Sequence, residues 1–88
     1  MTKAKAQTRH AKRRAMERYG ITMNTESLVR QIQTGQDAIF VWKQSRRVSH
    51  WDVVYKGEML RVVYDKERQT VITVLPKEAR DEPHLVYE

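Results

Sequence analysis

From Ala38 to Leu75 apolar residues keep returning at every second position. The pattern is broken only by the short polar stretches "RR", "KGE" and "KERQ". Nothing else in the chain restricts its fold as strongly. Period-two patterning puts alternate side chains on opposite faces of a strand. Ala38–Ser45, Val48–Lys56, Met59–Asp65 and Thr70–Leu75 therefore read as four strands. The interruptions are hairpin-sized, which favours an antiparallel meander. Pro76 ends the last strand. With "KERQ" as a four-residue loop, Tyr64 faces Val71 and Val62 faces Thr73. Leu60, Val62, Tyr64, Val71, Thr73 and Leu75 then share one face. With Lys56-Gly57 as a two-residue turn, Asp52 lies opposite Arg61 and can pair with it.

A sheet buries a face only against a second layer, and the residues ahead of it supply one. Lys3 to about Tyr19 is rich in Ala, Lys, Arg and Met, without Pro or Gly, and reads as a helix ended by Gly20. Asn24 or Thr25 caps a second helix to about Thr34, with Leu28, Val29 and Ile32 on one face and Gly35 after it. The expected fold is α+β: two N-terminal helices packed on a four-stranded antiparallel β-meander. A chain of 88 residues makes one domain. Its parts are a basic helix (1–20), a second helix (24–35), the sheet (38–76) and an acidic tail (77–88).

Ala4, Thr8, Ala11, Ala15 and Tyr19 fall on one narrow stripe of the first helix, where small side chains allow close packing. His10, Arg14 and Arg18 recur every four residues and border that stripe. The charge is as uneven as the pattern. The chain carries 17 Lys and Arg against 11 Asp and Glu. Residues 1–18 hold seven of the bases and one acid, so the whole excess of +6 lies there. Such asymmetry points to a polyanion, nucleic acid ahead of acidic lipid or an acidic protein. A solvated helix that repels its neighbours is the plainer account. The tail, with four acids and two bases, is expected to be loose or docked, and it could cover the basic helix.

There is no cysteine, so thiolate chemistry is excluded and a cytoplasmic setting, that of a bacterial host, fits. No apolar run is long enough to span a bilayer, and no signal-type segment opens the chain, so no membrane partner is expected. His10, His50 and His84 lack metal-ligand spacing, and three glycines make no phosphate loop. Chemistry here is expected to need no metal and no cofactor. RNA cleavage by its own 2′-OH suits that equipment, since it needs only a proton carrier and cations for the phosphorane. His10 titrates near neutrality. Arg14 and Arg18 lower its pKa and can fork onto a phosphate. Tyr64 and Thr73 bring two hydroxyls among apolar neighbours, though each is also an ordinary strand residue. "SRRVSHW" sets Arg46 and Arg47 in the first hairpin turn, followed by His50 and Trp51. This is a basic turn beside an aromatic and so a candidate RNA-stacking surface. For Trp42 and Trp51 a place in the core is the favoured reading. The candidate catalytic residues are thus His10, Tyr64 and Thr73. The candidate nucleic-acid contacts are Lys12, Arg13, Arg14, Arg18, Arg46 and Arg47.

"HAKRRAMERYGI" and "LRVVYDKERQTVITVLP" together resemble the opening helix and closing strands of the DUF4258 group of small phage-borne proteins. By analogy that group stands near the RelE and BrnT toxins and the colicin-type RNases, with helices followed by a four-stranded antiparallel sheet. Many of those cut RNA without metal. The resemblance implies that His10, Arg14, Arg18, Tyr64 and Thr73 line one site. Two functions follow as expectations. One is a metal-independent endoribonuclease or RNase-like toxin of phage type, with an antitoxin-like partner. The other is a non-catalytic modulator that binds host nucleic acid or a host protein through the basic helix.

Overall fold

The computed structural model describes residues 3–76. The elements run α1 (Lys3–Tyr19), α2 (Thr25–Thr34), β1 (Ala38–Lys43), β2 (Val48–Tyr55), β3 (Glu58–Asp65) and β4 (Thr70–Leu75). The strands form one antiparallel sheet in the order β1-β2-β3-β4. This is the α+β meander that the alternation predicts. The expected tail, including its role as a cover for α1, lies outside the described residues.

Local chemistry accounts for the boundaries. Asn24 caps α2 by accepting from the Ser27 amide at 3.2 Å, and Gly35 closes it in the left-handed conformation at φ 77°. Lys56 and Gly57, at φ 51° and 76°, make the two-residue turn that pairs Tyr55 with Glu58. β1 stops two residues earlier than expected. The amides of Gln44 and Ser45 both donate to the Val48 carbonyl, at 2.9 and 3.1 Å, and so close the turn around Arg46 and Arg47.

Both helices pack on one face of the sheet. Ala11 and Ala15 of α1 and Leu28 and Ile32 of α2 bury against Val53, Leu60, Val62, Tyr64, Val71 and Val74. The two alanines are fully buried, and their small side chains let α1 lie close along β4. β4 departs from the expected register. Tyr64 pairs with Val71 as the four-residue loop requires, but a β-bulge follows. Val62 then faces Val74 instead of Thr73, and Thr73 faces Val63 on the other side of the sheet. Leu75 likewise moves to that second face, opposite Arg61.

The two sheet edges differ. On β4 the Val74 carbonyl accepts from Arg18 at 2.8 Å and the Leu75 carbonyl from the Tyr19 hydroxyl at 2.7 Å. Among the described residues the outer edge of β1 has no neighbouring strand, and Ile39 and Phe40 are 64% and 52% exposed.

Candidate functional site

α1 presents its cations in two directions. His10 lies with Ala6, Gln7 and Ile72 around a shallow depression of about 250 Å³ at the rim of β4. Its pKa is lowered from 6.5, first by partial burial and then by the charges of Arg14, Arg13 and Arg18; Glu17 opposes them weakly. The imidazole is therefore mostly neutral at pH 7 and able to accept a proton. Arg14 pairs with Glu17 at 2.7 Å on the exposed surface, and Arg18 reaches the β4 carbonyl described above. Lys12 turns away from His10, toward depressions bordered by Ala4, Thr8, Thr22 and Glu26. Arg13 is exposed.

The expected trio of His10, Tyr64 and Thr73 does not converge. Tyr64 stands on the helix side, where its hydroxyl accepts from Gln33 Nε2 at 3.4 Å beside Ser49, Trp51 and Gln69. Thr73 stands on the opposite face because the bulge shifts it there. Its buried Oγ1 has no hydrogen-bond partner among the described residues. A shared pocket for the two hydroxyls is thus corrected by one extra residue in β4.

The first hairpin turn holds one exposed arginine and one committed to structure. Arg46 is exposed. Arg47 donates to Asp65 Oδ2 at 3.0 Å. Asp65 is fully buried and joins three parts of the chain. It accepts from Gln7 of α1 at 3.3 Å, from Arg47, and from the Arg68 amide and guanidinium at 3.0 and 3.4 Å. Gln7 in turn accepts from the Thr70 hydroxyl. Burial acts to raise the Asp65 pKa, but the Arg68 amide, the Gln7 amide and the two guanidiniums outweigh it and hold the carboxyl below its usual range. An aspartate just before a polar four-residue loop is a recognisable Asx-turn signal. Its link to Gln7, 58 residues away, has no such signal.

The second face of the sheet carries a polar row. Trp42, His50, Val63 and Thr73 follow one another across the four strands. His50 is fully buried, 4.9 Å from the Trp42 ring, and its Nε2 lies 2.8 Å from Gln44 Oε1. An acceptor at Nε2 assigns the proton there and leaves Nδ1 as a lone pair with no partner among the described residues. Burial, helped by the nearby Arg61 charge, lowers the His50 pKa to about 4. In the next row Arg61 grips Asp52 through two nitrogens, at 2.6 and 3.2 Å, the cross-strand pair expected from the turn length. Trp51 packs on the helix-side core, whereas Trp42 belongs to the second face.

Among the described residues no group of three His, Asp or Glu side chains is placed to hold a metal ion, and no helix is long and apolar enough to cross a membrane. No family model, curated protein or solved structure matches the chain.

Proposed function

We propose that this chain is an RNA-binding domain of the RelE or barnase-like type, and that it cleaves RNA without a metal at the rim between α1 and β4. One observation carries the reading. A neutral histidine, His10, sits at a depression on a helix whose neighbouring side chains include Arg13, Arg14 and Arg18. His10 takes the proton of the 2′-OH as that oxygen attacks the adjacent phosphorus, the bond from phosphorus to the 5′-oxygen breaks, and the leaving 5′-oxygen takes a proton from water. Arg14 is within one turn of it, and a phosphate can compete with the exposed Glu17 for its guanidinium. The resemblance to phage-borne toxin-like proteins supports the same assignment.

The divergence of Tyr64 and Thr73 favours a second reading. With neither hydroxyl shown to share a pocket with His10, the helix serves as a binding surface for a nucleic acid or a host protein and performs no chemistry. Purified protein with RNA oligonucleotides separates the two. Under the first reading, cleavage survives EDTA, leaves a 2′,3′-cyclic phosphate and stops when the scissile nucleotide is 2′-deoxy. His10→Gln slows it by about a hundredfold or more, the usual cost of a lost general base, with affinity unchanged. Binding without cleavage by the wild type establishes the second.

A further inference from the structure

The helix side of the sheet has an aromatic corner beyond the end of α2. Ser49 pairs with Tyr64, and Trp51 follows Ser49 by two residues, so Trp51 and Tyr64 are diagonal neighbours on one face. With Gln33, Lys66 and Gln69 they border a depression of about 470 Å³. Small-ligand sites span roughly 300–1,000 Å³. The indole is fixed from two sides. Its Nε1 donates to Ser49 Oγ at 2.8 Å, and Phe40 meets it edge-on with ring centres 5.6 Å apart.

This depression continues along the molecule. Gln33 and Gln69 also border a second one, of about 330 Å³, which passes Arg30 of α2. Thr8 joins that to a third on α1, beside Arg9 and Lys12. The three make one groove, aromatic at the sheet end and basic at the helix end. Arg9, Lys12, Arg30 and Lys66 border it against one acid, Glu26. The Lys66 amide donates to the Arg47 carbonyl at 2.7 Å, so the basic first hairpin turn lies at the aromatic end. Gln69 marks the waist. It holds φ 53°, a left-handed conformation that glycine adopts at less cost.

We propose that this groove binds an unpaired polynucleotide strand, with a base stacked on Trp51 and Tyr64 and phosphates running along α1 to Arg9 and Lys12. Each part matches a part of the ligand. Aromatic rings accept any base, because every base has a flat π-face. The amides of Gln33 and Gln69 each offer a donor and an acceptor, which is what the edge of an unpaired base requires. The cations neutralise phosphates. Assignment of the ligand rests on the nucleic-acid reading above, but its place is the flank of α1 away from His10. The depression at His10 shares no bordering residue with the groove.

Two tryptophans serve as internal probes. The full chain is titrated with a uridine octamer and with a thymidine octamer, which has no 2′-OH and so resists cleavage. The Trp51 indole signal in NMR should shift, while that of Trp42, on the other face, stays in place. A shift with both octamers identifies base and phosphate as the ligand; a shift with RNA alone adds the 2′-OH to it. Gln69→Gly suits the left-handed turn and removes only the amide. Combined with Lys66→Gln it should weaken binding by about tenfold, the scale of a lost hydrogen bond and a lost phosphate contact. A strand that binds with Trp51 unmoved, or with full affinity for the double variant, overturns the groove and leaves the His10 rim standing. Failure of both octamers to bind overturns both. An oligoglutamate that shifts Trp51 as strongly as the strands do gives the groove to an acidic protein and also overturns the proposal.

Discussion

His50 and Asp65 are the two residues on which the pH response turns. The folded protein holds His50 at a pKa of about 4, whereas the unfolded chain takes the proton near 6.5. Its contribution is complete above 6.5 and is lost as pH falls from 6.5 to 4. The loss amounts to about 3 kcal/mol. Urea unfolding across that window should show the decline, and His50→Leu should remove most of it. Asp65 acts lower on the scale. Its folded pKa lies below the unfolded one, so its contribution holds above about 4 and fades as pH falls through the folded value. Asp65→Asn keeps the shape but removes the charge from four hydrogen bonds. It should cost about 2 kcal/mol at pH 7, read as a lower urea midpoint. His50 was legible as a residue in a basic, aromatic stretch. Its neutrality was not, because that depends on burial, on the Gln44 acceptor and on the nearby Arg61 charge, which the tertiary arrangement brings together. The spacing of His10, Arg14 and Arg18 was legible because helical period alone sets it.

Among the elements, α1 gives the clearest expectation. If its exposed cations hold RNA, log K falls with log salt by about 0.7 for each phosphate contact on a single strand. Changing Lys12, Arg13 and Arg14 to Gln should flatten that slope while circular dichroism stays unchanged. An unaltered slope would place the contact on another surface. Arg46 would then be the first residue to test, since Arg47 is tied to Asp65. Both helices, all four strands and the two later turns were readable from apolar period and from Asn24, Gly35 and Lys56-Gly57, whereas the first hairpin turn begins two residues earlier than its "RR" suggested. The bulge in β4 was not. Val71, Ile72, Thr73 and Val74 are all good strand formers, and nothing in their composition marks which one is extra. That single residue separated Thr73 from Tyr64 and with them the site drawn from sequence.

Across the whole molecule the strands differ in how many strand neighbours they pair with. β2 and β3 each have strand neighbours on both sides, while β1 has one. Hydrogen exchange should therefore be slowest in β3, whose residues Leu60–Asp65 are all buried, and fastest among the strands at the outer amides of β1. Equal protection of the two would contradict this architecture. The edges also set a rule for association. Among the described residues Arg18 and Tyr19 bond to carbonyls of β4, whereas the outer edge of β1 meets no strand. Two molecules that joined β1 to β1 would each use that edge. Pairing through β1 alone would close at a two-fold dimer, because each molecule would present its β1 edge to the other.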